Sequence, residues 1–202
     1  MEKFISMKIT FHLLIFLLVI SCNKKSEEEF PKYAQEEINN KIEEGKPFFD
    51  FDEVIHYEVS ISEDEFYDLI QKDTISRETK LLSVLLFDSC PSNQDERKQF
   101  EEAIDLVRVA SDVINLKFYD ELRKQVFVKK ECSTIEMAAC EPLYRDIFIF
   151  KKNKKETGMA KICFKCRLYD FSKGNFISDC FGMNGEFGKL KNIIAENKKL
   201  KK

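Results

Sequence analysis

The chain has 202 residues and a formal net charge of −3, and 44% of its residues are hydrophobic and 34% are charged. This length suits a single hydrophobic core, and the composition argues against disorder of the whole chain. The slight acidic excess argues against nucleic acid as a partner, because a nucleic-acid-binding protein needs a basic surface to neutralise phosphates.

The first 21 residues have the organisation of an export signal. Lys3 and Lys8 precede an apolar stretch at residues 9–20, as in the charged and hydrophobic parts of a secretory signal. A transmembrane helix needs about 20 apolar residues, so this stretch is too short to be one. Met7 is an alternative start, since a signal that begins there is complete. Residues 1–21 are therefore predicted to be a signal peptide.

The signal ends in Val19, Ile20, Ser21 and Cys22. This sequence resembles the lipobox of bacterial lipoproteins, in which a dedicated peptidase cuts before a cysteine that already carries diacylglycerol. The resemblance implies that Cys22 is lipidated and anchors the chain to a membrane of the cell envelope, with the outer membrane as the expected location. Two or more acyl chains anchor a protein firmly, because each buried methylene contributes about 0.8 kcal/mol.

A charged tether follows the predicted lipid. Residues 23–29 have too little apolar surface to fold by themselves. Their Lys-Ser-Glu-Glu-Glu order resembles the acidic signal that sends some Bacteroidota lipoproteins to the cell surface, but an ordinary charged linker looks the same, so both interpretations stay open. A short helix is predicted at about 31–44. We expect residues 22–47 to form the lipidated tether with this helix, and residues 48–202 to form a single globular domain.

The domain is predicted to begin with a strand and a helix. Residues 54–61 alternate apolar and polar side chains, which predicts a strand that is buried on one side and has His56 on its polar face. Ser62 and Glu65 then form a capping box, which predicts a helix beginning at residue 63.

Two more helices are predicted after it. The apolar run at residues 80–87 fits a buried strand or a buried helix, and its leucine spacing favours the helix. A further helix begins after Pro91. Its apolar face is expected to carry Phe100, Ile104, Val107 and Ile114.

The second half of the domain alternates apolar and polar residues. Residues 147–150 and 159–171 are predicted to be the strands of a β-hairpin, with residues 151–158 as the turn. On the second strand, the residues expected in the core are Ala160, Ile162, Phe164, Cys166 and Leu168. The residues expected on the opposite, solvent-facing side are Lys161, Cys163, Lys165 and Arg167.

The chain is predicted to close with an amphipathic helix. A glycine-rich bend at Gly182, Gly185 and Gly188 precedes apolar residues at helical spacing, which are Phe187, Leu190 and Ile194. We therefore predict an α+β fold, with several helices followed by a β-hairpin or antiparallel sheet and a closing C-terminal helix.

Three stretches in the last third of the chain, at residues 144–147, 160–166 and 181–182, resemble small uncharacterised Bacteroidota proteins. The resemblance carries no family activity and implies no cofactor or site residue. It supports the identity of the domain alone.

The cysteines are the strongest chemical signal. Six remain besides Cys22, and they are Cys90, Cys132, Cys140, Cys163, Cys166 and Cys180. An even number of cysteines in an exported protein predicts at least one disulfide, although the sequence does not fix the pairing. The alternative is buried thiols that behave as small apolar residues.

The Cys163-Phe-Lys-Cys166 motif suggests a redox dithiol, or half of a zinc site completed by Cys140 and Cys180. Residues three apart on a strand point to opposite faces, which argues against both. Cys163 alone is a candidate reactive thiol, because basic residues alternate with it. The preferred interpretation places Cys163 on the solvent face, in a disulfide to Cys140 or Cys180.

No catalytic residue, cofactor or metal ligand is assigned. His56 is the one histidine after the signal, and nothing around it marks a nucleophile, so it is interpreted as a half-exposed strand residue. The leading hypothesis is a lipid-anchored, non-enzymatic binding or structural domain at the envelope, whose partner is an envelope protein or a small ligand. The alternative is a thiol-redox or zinc-binding protein that uses Cys163 and Cys166.

Overall fold

The computed structural model describes residues 44–107, 109–130, 140–172 and 180–201. These residues belong to one compact unit, Asn40–Lys202. The predicted signal peptide, Cys22 and the helix predicted at about 31–44 fall outside the described residues, so these predictions stay predictions. No helix in the described part of the chain is long and apolar enough to cross a membrane.

The fold is α+β, as predicted. Within the described ranges, five strands form one antiparallel sheet in the order β2-β1-β3-β4-β5. The strands are β1 (Glu53–Glu58), β2 (Ala110–Val113), β3 (Asp146–Lys152), β4 (Lys155–Cys163) and β5 (Leu168–Phe171). Because β3 is the middle strand, the hairpin predicted from the alternating sequence forms the centre of the sheet.

The β3–β4 hairpin turns over only two residues, Asn153 and Lys154. Both have a left-handed backbone, with φ of 50° and 65°, which is the geometry of two-residue turns that match the twist of antiparallel strands. The turn predicted over residues 151–158 is therefore too long. The predicted second strand, residues 159–171, is also wrong, because a turn at residues 164–167 divides it into β4 and β5.

The structure contains the helices predicted from residue 63, at residues 80–87, after Pro91 and at the C-terminal end, and it adds helical turns at residues 116–126 that were not predicted. The α-helices in the described residues are α1 (Glu63–Ile70), α2 (Arg77–Leu86), α3 (Gln94–Leu106), the single turn α4 (Tyr119–Glu121) and α5 (Glu186–Lys199). A 3₁₀ turn (Leu116–Phe118) precedes α4 and a π-helical turn (Leu122–Val126) follows it. The closing helix is α5, although Gly188 lies inside it rather than in the bend before it.

Polar side chains at the N-caps fix where three helices begin. Ser62, Ser76 and Asn93 each accept a hydrogen bond from the backbone N–H three residues further on, which satisfies one of the N–H groups that a helix start leaves unpaired. The predicted start of a helix at residue 63 is confirmed. The ambiguous apolar run at residues 80–87 is helical, as its leucine spacing indicates.

One strand was not predicted. α3 ends at Leu106, and Ile114, expected on the apolar face of that helix, instead follows strand β2. β2 has the sequence Ala-Ser-Asp-Val and its side chains are mostly exposed, so it lacks the alternation that marks a strand with one buried face. It pairs with β1 at the edge of the sheet.

The sheet is covered on both faces. Successive residues of β3 alternate between two clusters, with Ile147 and Ile149 on one side and Phe148 and Phe150 on the other. The phenylalanine core, on the side of α5, also contains Phe49, Phe51, Phe127, Phe181 and Phe187. The helical core, on the side of α1–α3, also contains Phe66, Leu85, Leu86, Phe100 and Met159.

Burial on both faces explains why a solvent-facing side was wrongly predicted for β4. Its last six residues are all buried, so neither Lys161 nor Cys163 lies on a solvent face as predicted. A strand that packs on both faces has no polar side, and alternation then says nothing about which residues face water.

Candidate functional site

A cleft of about 490 Å³ lies where β1 and β4 end and β3 begins. Because β1 and β4 both run antiparallel to β3, these strand termini meet at one edge of the sheet. We call it the strand-end cleft. Its lining comes from three segments: residues 58–62 and 65, from the end of β1 to the first turn of α1; residues 143, 145 and 146, before and at the start of β3; and residues 162–165, at the end of β4 and in the turn that follows.

Charged groups of both signs line the strand-end cleft and are held in place. Arg145 donates a hydrogen bond from Nη1 to the carbonyl oxygen of Ile61 over 3.2 Å. Lys165 forms an ion pair with Glu63 in the first turn of α1, where a carboxylate also favours the helix dipole. Both cations therefore already have a protein partner before any ligand binds.

His56 lies behind the strand-end cleft and contacts one of its lining residues. Its Nε2 lies 2.8 Å from Oδ1 of Asp146, a lining residue of the strand-end cleft, and its ring stacks on Phe148. Only 2% of His56 is exposed, so the prediction of a half-exposed histidine on a polar face is wrong. The reason is again burial on both faces, because His56 points into the phenylalanine core beside Val54.

The Cys163 to Cys166 motif lies at the end of β4 and in the turn to β5. The backbone N–H of Cys166 donates to Sγ of Cys163 over 3.4 Å. Cys166 forms a disulfide with Cys140, with 5.7 Å between their Cα atoms. The prediction of at least one disulfide is confirmed. Cys163, Cys166 and Tyr144 pack in one small buried cluster.

Two predictions about these cysteines are wrong. The objection that Cys163 and Cys166 point apart assumed a continuous strand, whereas the turn brings the backbone of one against the sulfur of the other. The expected disulfide from Cys163 to Cys140 or Cys180 does not form, because Cys140 pairs with Cys166. Among the described cysteines, Cys163 and Cys90 are free and buried thiols, and Cys180 takes part in a disulfide.

The basic residues expected around Cys163 are engaged elsewhere. Lys161 Nζ donates to the carbonyl oxygens of Val84 and Asp88, Lys165 pairs with Glu63, and Arg167 Nη2 donates to the carbonyl oxygen of Gly182. The charge pattern that suggested an activated Cys163 thiol therefore serves structural contacts.

Lys161 is a buried residue that the sequence analysis placed in solvent. Its exposure is 0%, and its ammonium group reaches the C-terminal end of α2, where carbonyl groups lack helical partners. A cation at this end also complements the helix dipole, and α2 has no basic residue in its own last turn. In the sequence, the indication that Lys161 is buried is its position as a single lysine within the apolar run Met159 to Cys163.

Burial changes the proton affinities around Lys161. Burial lowers the pKa of Lys161 from 10.5 to about 8, against the opposing effect of nearby anionic groups. Burial also raises the pKa of the Tyr144 hydroxyl to about 12, and it raises the pKa of the Cys90 thiol. Lys161 is thus a cation held in a site that favours its neutral form.

Metal binding has no support in the described ranges. No three His, Cys, Asp or Glu side chains there are arranged to hold a metal ion. Of the four cysteines in the predicted zinc set, Cys140, Cys166 and Cys180 are in disulfides, and a disulfide sulfur is not the thiolate that zinc requires.

A comparison with known proteins gives no match: no protein-family model, no curated protein and no solved structure is similar to this chain. The class that the fold itself defines is an α+β domain with an antiparallel sheet between two helical layers.

Proposed function

We propose that the protein is an exported, lipid-anchored binding protein, with the lipid on Cys22 and a small polar ligand in the strand-end cleft. The Cys140–Cys166 disulfide supports export, because disulfides persist in oxidising compartments outside the cytosol. The lipobox-like sequence before Cys22 supports the anchor. The outer membrane is the proposed location.

The strand-end cleft is the observation that carries the binding proposal. Its volume, about 490 Å³, lies within the usual range of small-molecule sites, roughly 300–1,000 Å³. Its polar lining includes the cations Arg145 and Lys165 and the anions Glu58, Glu65 and Asp146. A ligand that carries both charges, such as an amino acid or a short peptide, is complementary to this lining.

The positions of the reactive groups argue against catalysis by a histidine-activated thiol. Cys163 lines the strand-end cleft, whereas His56 shares a sheet face with Phe148 and Ala160 through strand pairing. Cys163 lies an odd number of residues from Ala160 on β4, so its side chain projects from the opposite face. The one histidine of the proposed mature chain is therefore not placed to activate this thiol.

Lipidation is tested by replacing Cys22. Cells that express the full-length chain are grown with a clickable palmitate analogue, and the label and membrane fraction of the protein are measured. We expect Cys22→Ala to abolish the label and release the protein from the membrane fraction, because the acylated sulfur is missing. Ser21→Ala is the matched control, since it keeps a small residue before the cysteine and should retain the label. Unchanged labelling of Cys22→Ala would disprove the anchor.

Ligand binding is tested with free amino acids and dipeptides as probes. We expect at least one to raise the melting temperature of the protein, because binding to the native state stabilises it. Lys165→Gln should lower the affinity for that probe about tenfold, as measured by isothermal titration calorimetry, which is equivalent to roughly 1.4 kcal/mol of binding free energy. Lys154→Gln, at the exposed hairpin turn, is the matched control and should bind normally. Equal affinities for both variants, or no stabilisation by any probe, would contradict the proposal.

A further inference from the structure

Cys163, Cys166 and the disulfide partner Cys140 lie together at the turn between β4 and β5. Cys166 is bonded to Cys140, and its backbone N–H contacts the Cys163 sulfur over 3.4 Å. The turn spans residues 164–167 and is closed by the pairing of Cys163 with Leu168. A thiol is therefore held in the same small buried cluster as a residue that carries a disulfide sulfur, and thiol–disulfide exchange proceeds by attack of a thiolate on such a sulfur.

The three cysteines differ in exposure. Cys163 and Cys166 are 2% and 8% exposed, whereas Cys140 is exposed to solvent. A bond between Cys163 and Cys166 would thus be buried, and the Cys140 thiol released when this bond forms would be at the surface.

We propose that the protein isomerises its own disulfide. The Cys163 thiolate attacks Sγ of Cys166, the bond between Cys166 and Cys140 breaks, and a bond between Cys163 and Cys166 forms. Cys140 leaves as a thiolate and takes up one proton for the proton lost from Cys163. Two thiol-level electrons move from Cys163 to Cys140, so the step needs no external oxidant or reductant.

The product is a surface thiol that the starting state lacks at this position. The Cys140 thiolate can attack an accessible disulfide of a second molecule, forming a mixed disulfide and releasing one thiol of that molecule. The substrate class is a disulfide that reaches the surface around Cys140. This activity requires neither the lipid on Cys22 nor a ligand in the strand-end cleft.

The test traps the released thiol. The full-length chain, purified without reductant, is incubated with N-ethylmaleimide at pH 8 under native conditions, digested without reduction, and mapped by mass spectrometry. We expect the label to accumulate on Cys140, and the same molecules to contain a Cys163–Cys166 disulfide. In a parallel sample, oxidised glutathione should add one glutathione to Cys140.

Matched variants separate the exchange from simple exposure. Cys163→Ser removes the attacking thiol, so the label on Cys140 should appear at least about tenfold more slowly. Cys90→Ser removes the other free and buried thiol and should leave the labelling of Cys140 unchanged. Cys163→Ala serves if the serine variant does not fold.

Two results would overturn the proposal. One is wild-type protein in which the label appears on Cys163 or Cys90, or nowhere, while the Cys140–Cys166 disulfide stays intact. The other is labelling of Cys140 at the wild-type rate when Cys163 is replaced. The wild-type peptide map alone decides between the two disulfides, so the test does not depend on the stability of any variant.

Discussion

Replacing Phe127 by alanine is expected to lower the free energy of unfolding by about 3–5 kcal/mol. Phe127 is fully buried in the phenylalanine core, where its ring centroid lies 4.9 to 5.9 Å from five other rings. Those rings belong to Phe49, Phe148, Phe150, Phe171 and Phe181. Truncation removes the transfer free energy of the ring and leaves a cavity that rigid neighbours cannot fill.

This prediction is checked by urea denaturation followed by far-ultraviolet circular dichroism, since the chain has no tryptophan. Phe164→Ala is the matched control, because Phe164 is only partly buried and its one described ring contact is with Phe187 at 6.2 Å. We expect Phe164→Ala to lower the free energy of unfolding by less than half as much as Phe127→Ala. Equal losses for the two variants would mean that Phe127 is not central to the core.

The stability of the wild-type protein relative to Lys161→Met is expected to rise with pH, by about 2 kcal/mol between pH 7 and pH 9.5. Burial lowers the pKa of Lys161 from 10.5 to about 8. Between these two values the unfolded chain binds a proton that the folded chain does not bind. Unfolding therefore becomes less favourable as the pH rises, and the penalty for burying the ammonium group is greatest below pH 8.

The measurement is the difference between the two free energies of unfolding at each pH, from urea denaturation. Taking the difference removes the contributions of cysteines and tyrosines, which both proteins share. Lys155→Met, at the exposed start of the same strand, should give a pH profile parallel to that of the wild type. A parallel profile for Lys161→Met would show that Lys161 titrates in the folded protein as it does in the unfolded chain.

Local signals in the sequence predicted local structure well. The helix start at residue 63 depends on Ser62 and the N–H of Glu65, which are three residues apart and interact in the same way in any fold. The α+β class and the β3–β4 hairpin likewise follow from patterns within about 20 residues. These features need no knowledge of what packs against them.

Predictions that depended on what covers each face were wrong. His56 and Lys161 sit at polar positions of alternating strands, yet both are buried, because helices and phenylalanine rings cover the two faces of the sheet. Alternation of apolar and polar residues identifies a solvent-facing side only when one face of the sheet is exposed to solvent. The 19 phenylalanines of the sequence are more apolar surface than one face of a sheet needs, which is an indication that both faces are covered.

The candidate site was predicted in part. Cys140, Cys163 and Cys166 were singled out, but their pairing was not, because it depends on the turn at residues 164–167. No glycine or proline marks that turn, and its left-handed residue is Arg167, with φ of 53°. The strand-end cleft was not predicted at all, since its walls come from three strand ends far apart in the chain.

The order of strands also constrains how the chain folds as it is made. β1 pairs with β3, and His56 contacts Asp146 at a sequence separation of 90 residues, whereas β3 and β4 form a local hairpin. The ribosome synthesises the N-terminal half first. The segments of β1 and helices α1–α3 are therefore present for seconds before β3, which covers their apolar sides, has been synthesised. The sheet can therefore be completed only after the β3–β4 hairpin has been synthesised, at residue 163.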